Sequence, residues 1–313
     1  MSIMITGGTG LIGSALARKL AKQGEQVVVF DISPNLRMID DVKDKVKIIQ
    51  GDLTIPQEIN DAIKLHKVEG IFHLASVISA AAEQRIVSSF NVNFVGTVNV
   101  LEAARSFGVK KVIYSSSGAA YGDKEGKRVN EGDPCQPSNP YAIAKYFGER
   151  WGVFYHLRHG IDFRALRFPP IIGAGRKAGV MSYMSHMIEK PALGLPYESY
   201  VKEETQTAFL YVKDAARALE LAYQKESVDD RIYNLNGIIL TAKELADLTR
   251  ARLPEAQISF NPKPELDSRV RAQHRELDDS LAQRVFSWKT EISPSAMVND
   301  LVDEIQANPH LFQ

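Results

Sequence analysis

Tyr141 and Lys145 stand four residues apart in PYAIAK (140–145), a spacing that puts phenol and ammonium on one helix face. A free phenol has a pKa of about 10, too high for a base at neutral pH. A neighbouring cation stabilises phenolate and makes the tyrosine a workable general acid/base for a carbinol or carbonyl. Such pairs also arise by chance on amphipathic helices, so further groups must join them. KKVIYSSSGAAYG (110–122) ends a strand-like run in Ser115, Ser116 and Ser117. Strand C-termini in open α/β sheets face the ligand crevice, where a serine can bond a cofactor or a substrate oxygen.

TGGTGLIG (6–13) sits between a strand-like and a helix-like segment, the context that makes a glycine pattern informative. Gly7 permits a tight turn, Gly10 admits close approach of a pyrophosphate, and Gly13 allows tight helix–sheet packing. The helix N-terminus supplies N–H groups and a positive dipole end. The next strand-like run ends in Asp31, 18 residues after Gly13. A carboxylate there accepts hydrogen bonds from an adenosine ribose and repels a 2′-phosphate, which favours NAD over NADP. Arg37 in the following loop reads as a solvated surface residue.

These groups need a scaffold, and the bulk sequence limits its kind. The chain has 313 residues, 44% apolar and 24% charged, the proportions of a soluble globular protein. Its 38 basic residues equal its 38 acidic ones, so charge gives no support for nucleic acid or an anionic membrane as partner. Cys135 is the single cysteine, which excludes an intramolecular disulfide and a thiolate-built zinc site. MSIMITGGTG lacks the basic start and apolar stretch of a signal peptide, and no window is apolar enough to span a membrane. A cytoplasmic enzyme acting on a small molecule is expected, with no metal. His156 and His159 lack acidic or cysteine partners in sequence, and Met181, Met184 and Met187 read as a packed stripe.

Strands are expected at 2–6, 26–31, 46–50, 70–75, 110–116 and 163–168, as unbroken apolar runs covered on both faces. Helical segments near 11–23, 57–66, 85–107 and 138–159 alternate with them, which argues for an α/β fold with a Rossmann-type doubly wound parallel sheet. After Phe168 the rhythm breaks. A strand running into a helix at 209–223, a strand at 231–237 and a capping box at Thr241 and Glu244 follow. NPKPE (261–265) reads as a stiff connector. The expected division is a cofactor domain of 1–168 plus about 208–236. A smaller, mostly helical substrate domain takes 169–207 and 237–313.

Taken in order, TGGTGLIG, Asp31, GDL (51–53), HLAS (73–76), NVN (91–93), YSSSGAAYG and YAIAK resemble the extended short-chain dehydrogenase/reductase family, from residue 3 to about 236. The resemblance implies Tyr141 as acid/base, Lys145 on the nicotinamide ribose and Ser117 on the substrate oxygen. It implies Thr9, Leu11, Ile12 and Ser115 among the cofactor contacts, with Asp52 and Leu53 against adenine. Leu74, Ala75 and Ser76 fall on the phosphate–ribose side, Asn93 in supporting architecture, and Phe168 and Ile171 beside nicotinamide. Pairing of the two long helices into a homodimer is implied as well.

The chain departs from the sugar-nucleotide members of that family. Arg167-Phe168-Pro169-Pro170 replaces a run whose asparagine contacts the substrate diphosphate, and proline offers neither N–H nor amide. The stretch 77–97 is similar to that of short-chain-type L-threonine 3-dehydrogenases, with Ser79 matching a substrate-contacting serine. Oxidation of a small hydroxy substrate (amino acid, hydroxy acid or sugar acid) is therefore expected. The alternative is a nucleotide-sugar 4-epimerase or dehydratase with tightly bound NAD.

Overall fold

A computed structural model describes residues 2–123, 126–176, 179–273 and 276–312, leaving aside the side chains at 79 and 80. Strands β1 (Ser2–Thr6), β2 (Gln26–Asp31), β3 (Val46–Gln50), β4 (Val68–His73) and β5 (Lys111–Ser117) follow the apolar runs closely. Next come β6 (Arg128–Val129), β7 (Asp162–Phe168), β8 (Ile171–Ile172), β9 (Tyr197–Ser199), β10 (Gln206–Tyr211), β11 (Ile232–Asn234) and β12 (Ile238–Thr241). Seven of them form one parallel sheet in the order β11-β7-β5-β4-β1-β2-β3. The winding direction reverses between β1 and β4, so a crevice opens at their C-terminal ends.

Helices cover both faces because the strands are apolar on both. Leu16, Ala17 and Leu20 of the Leu11–Lys22 helix pack on one face with the Val212–Gln224 helix. Ile59, Val100, Leu101 and Tyr155, from the Pro56–His66, Gly96–Ser106 and Pro140–His159 helices, pack on the other. The Pro140–His159 helix starts where Asn139 accepts the Ala142 N–H at 2.9 Å, with Pro140 in the first turn. Gly160, at φ +72°, ends it in the left-handed region.

The remaining chain builds a smaller layer over the crevice. β8, β10 and β12 form a three-stranded sheet, and the capping box at Thr241 and Glu244 starts the Ala242–Arg252 helix. Two expectations need correction. The segment 85–107 is not one α-helix: a π-helical turn at Asn91–Val95 separates Ile86–Phe90 from Gly96–Ser106. NPKPE is only partly connector, because Pro264 occupies the first turn of the Pro264–Ala272 helix, where its missing N–H costs nothing. No helix among the described residues is long and apolar enough to cross a membrane.

Candidate active site

The glycine-rich turn follows β1 directly at the crevice. Gly7 has φ +66°, and a Cβ there would lie 2.8 Å from the Ala75 Cα. At Gly13 a Cβ would come within 2.2 Å of the Gly7 carbonyl oxygen, so the turn and the Leu11–Lys22 helix touch backbone to backbone. Gly10 caps that helix without a side-chain bond, and no acidic residue stands in its first turn. This N-terminus is thus a cradle of free donors suited to a pyrophosphate, and the residues fit a dinucleotide.

Asp31, at the end of β2, faces this turn. Its Oδ2 accepts the Thr9 N–H at 3.1 Å and the Thr9 hydroxyl at 2.7 Å, and its Oδ1 accepts the Ser33 N–H at 3.2 Å. The carboxylate therefore fixes the glycine-rich loop itself. Arg37 is exposed, as expected of a surface residue.

A cavity of about 680 Å³ opens from this turn across the sheet ends. Gly7, Thr9, Gly10, Leu11, Ile12, Gly13, Leu74 and Ser76 border one part of it. Ser115, Ser117, Tyr141, Phe168 and Ile171 border the rest, together with Pro169, Pro170 and Arg176. The strand register explains this convergence. Ser115, Ser116 and Ser117 of β5 lie beside Leu166, Arg167 and Phe168 of β7.

Other expected residues lie off the cavity wall. Leu53 is 5% exposed and belongs to the core, and Asp52 accepts the Thr54 N–H at 2.8 Å. Ala75 closes over Gly7. Asn93 is 4% exposed; its amide exchanges two bonds with the Val77 backbone, at 2.8 and 2.9 Å, and so pins the loop after β4. The Ser79 side chain falls outside the described residues.

Lys145 sits behind Tyr141, 3% exposed, and donates to the Ser115 carbonyl at 2.7 Å. Its Nζ lies 5.6 Å from the Tyr141 ring centre. Burial lowers its pKa to about 7, against the opposing pull of Glu149. At Tyr141 burial raises the pKa, while the Ser117 hydroxyl and the Arg176 charge pull it down.

Sequence reasoning missed the groups beneath this pair. Glu149 is fully buried and accepts bonds from Ser116 at 2.5 Å and from Arg167 at 2.6 and 2.7 Å. The continuation of the four-residue spacing from Tyr141 and Lys145 to Glu149 was the available signal. His73 bridges Thr6 at 2.8 Å and Thr97 at 3.0 Å, and burial lowers its pKa to about 3, with the Lys145 charge adding to the effect.

His156 is bonded to the Ile161 carbonyl at 2.9 Å, and Met181, Met184 and Met187 are buried. No metal-binding cluster occurs among the described residues. A second cavity, about 730 Å³, lies on the far side of the Leu11–Lys22 helix. Ser117, Tyr141 and Lys145 are not among its lining residues, and several of its charges are paired, as in Lys213–Asp300 at 2.6 Å.

Comparison with known proteins agrees with this geometry. The chain is 27% identical to the mitochondrial L-threonine 3-dehydrogenase of Bos taurus, over 96% of this chain and 82% of that one. It is 31% identical to D-erythronate dehydrogenase of Cupriavidus necator, over 80% of this chain and 81% of that one. An L-threonine dehydrogenase structure from Cupriavidus necator in its holo form superposes with TM-score 0.88 at 28% identity, covering 97% and 100% of the two chains. UDP-glucose 4-epimerase of Thermotoga maritima with UDP-glucose gives TM-score 0.87 at 26% identity, covering 99% and 100%. Residues 3–236 match the profile of the NAD dependent epimerase/dehydratase family. The glycine-rich turn, the cavity and this match together make the chain a member of the NAD dependent epimerase/dehydratase family, an NAD-dependent enzyme on a Rossmann-type fold.

Proposed function

We propose that the protein oxidises the secondary alcohol of a small hydroxy substrate, an amino acid, hydroxy acid or sugar acid, with Tyr141 as acid/base. One observation carries this reading: Ser117 and Tyr141 share the cavity wall with Pro169 and Pro170, where no amide is available for a diphosphate. Relatives named for L-threonine and D-erythronate support it. NAD, when bound, supplies the hydride acceptor. Ser117 Oγ orients the substrate oxygen, Tyr141 Oη takes the carbinol proton, and Lys145 Nζ stabilises the resulting phenolate.

The cofactor is assigned to the Gly7–Gly13 turn, Asp31, Asp52, Leu53, the Leu74–Ser76 segment, Ser115, Tyr141, Lys145, Phe168 and Ile171, with Asn93 in support. Ser79, Ser117 and Tyr141 are assigned to substrate. The domain division at 168, 208 and 236 belongs to the same reading, as does a cytoplasmic location. The second reading, a 4-epimerase, is favoured by the SSSGAAYG run and by relatives named UDP-glucose 4-epimerase.

A turnover screen separates the two. Purified protein is given NAD or NADP with L-threonine, hydroxy acids, sugar acids and UDP-sugars, and reduced cofactor is followed by absorbance. Oxidation releases NADH in step with product, whereas epimerisation changes the sugar with no net NADH. Tyr141→Phe should slow oxidation by about 10²–10⁴-fold; unchanged turnover sinks the mechanism.

The assembly expected is a homodimer. Phe90, Phe94, Phe147, Trp151 and Phe154 form a ladder of rings across two neighbouring helices, with successive centres 4.8 to 5.6 Å apart. Phe90, Trp151, Phe154 and Leu157 are 37–75% exposed, an apolar face suited to an identical face on a second copy.

A further inference from the structure

We infer that Arg176 is the group that receives a carboxylate of the substrate, and that it makes the site selective for hydroxy acids over neutral alcohols. The inference rests on the reading of this cavity as a site of alcohol oxidation, and it names the substrate class more narrowly. Arg176 borders the same cavity as Ser117 and Tyr141. Its Nη1 is fixed by the Ile171 carbonyl, while its buried Nε has no hydrogen-bond partner among the described residues. Its main-chain carbonyl is bonded by His186 at 3.0 Å, which fixes the backbone as well.

Among the described residues no carboxylate forms an ion pair with Arg176. The other cation on the wall, Arg269, reaches Glu83 at 3.3 Å and is half exposed. Asp123 lies exposed at the rim. One guanidinium thus remains on the same cavity wall as the phenol, with burial lowering its pKa. A half-buried cation without a counter-ion is unfavourable by itself and becomes favourable when a ligand brings the missing anion. The planar fork suits a carboxylate, which accepts two parallel N–H bonds. A single cation matches one anionic charge, whereas a diphosphate would leave charge unpaired beside Pro169 and Pro170.

The placement also aids the proposed chemistry. With the carboxylate held by Arg176, the carbinol oxygen of the same small molecule is directed to Ser117 and Tyr141. A neutral alcohol would leave the cation unpaired and lose that anchor.

Binding is measured by calorimetry on the NADH-loaded enzyme, where no oxidation takes place. The probes are L-threonine against L-threoninamide, D-erythronate against erythritol, a set of 2- and 3-hydroxy acids, and UDP-glucose. At least one carboxylate should bind about ten-fold or more tighter than its neutral counterpart. Arg176→Gln should weaken that carboxylate by about 10- to 100-fold, while NADH affinity stays within about two-fold and certifies the fold. Arg176→Lys keeps the charge without the fork and should fall between. The inference is overturned if no carboxylate binds, if Arg176→Gln leaves carboxylate affinity unchanged, or if UDP-glucose is the probe whose binding depends on Arg176. NADH release from a hydroxy acid with a KM indifferent to Arg176→Gln overturns this inference alone. Arg176-dependent carboxylate binding without any oxidation would instead overturn the functional reading and keep the inference.

Discussion

Thr9 donates both its backbone N–H and its hydroxyl to one oxygen of Asp31, at 3.1 and 2.7 Å. The second strand of the sheet thereby holds the glycine-rich turn in shape, and the Thr9 hydroxyl in turn accepts the Asn35 N–H at 3.1 Å. Asp31 thus combines a loop-fixing bond with the proposed contact to the adenosine ribose.

Asp31→Ala should raise the KM for NAD by about ten-fold or more, since bonds to a charged acceptor each contribute about 1.5–3 kcal/mol. Relative use of NADP should rise in the same variant. Steady-state kinetics with both cofactors gives the ratio. An unchanged ratio would restrict Asp31 to holding Thr9.

Glu149→Gln removes the negative charge from a buried ion pair with Arg167. Arg167 would be left without its counter-charge, and the expected cost is about 3–5 kcal/mol of stability by chemical denaturation. The same change removes the charge that raises the Lys145 pKa, so that pKa should fall below about 7. A merely structural role would lower stability without moving the corresponding limb of the kcat–pH profile.

His73 predicts the acid side of the stability curve. Burial lowers its folded pKa from 6.5 to about 3, so the unfolded chain binds a proton that the folded chain refuses. Stability should therefore drop as pH falls from 6.5 towards 3, at up to about 1.4 kcal/mol per pH unit from this group. Lys145, lowered to about 7, acts in a separate window: its contribution rises with pH from 7 towards its unfolded value. Urea titrations at pH 7, 6, 5 and 4 measure the acid slope, and His73→Gln should flatten it. An unchanged slope in that variant would remove His73 from the account.

Trp151→Glu puts a charge in the middle of the exposed ring ladder. At micromolar concentration the wild type should sediment as the proposed dimer and the variant as a monomer, with NADH binding retained. If the variant sediments like the wild type, this face is not where two copies meet.

Much of the site was legible in the sequence because its signals are local. Glycines seven to thirteen residues from the start, a carboxylate ending the second strand, and Tyr141 with Lys145 are each set by spacing along one element. The continuous apolar runs marked the parallel strands for the same reason, since burial on both faces leaves no room for alternation. The π-turn at Asn91–Val95 carried no such periodic signal, and Asn93 acts there through a loop 16 residues away.

The sequence by itself determined the fold class, the glycine-rich turn and the pairing of Tyr141 with Lys145 on one helix face, because covalent spacing fixes which side chains share a face. Tertiary structure alone decided which charges meet. It brought Asp31 onto Thr9, put Arg167 and Ser116 onto Glu149, and set Arg176, 35 residues beyond Tyr141 in the chain, on the same cavity wall as the phenol. The physical reason is that pKa values depend on burial and on neighbours brought in from other elements. Hence the Tyr141–Lys145 pair was visible in six residues, while the Ser116 and Arg167 bonds to Glu149 beneath it were not.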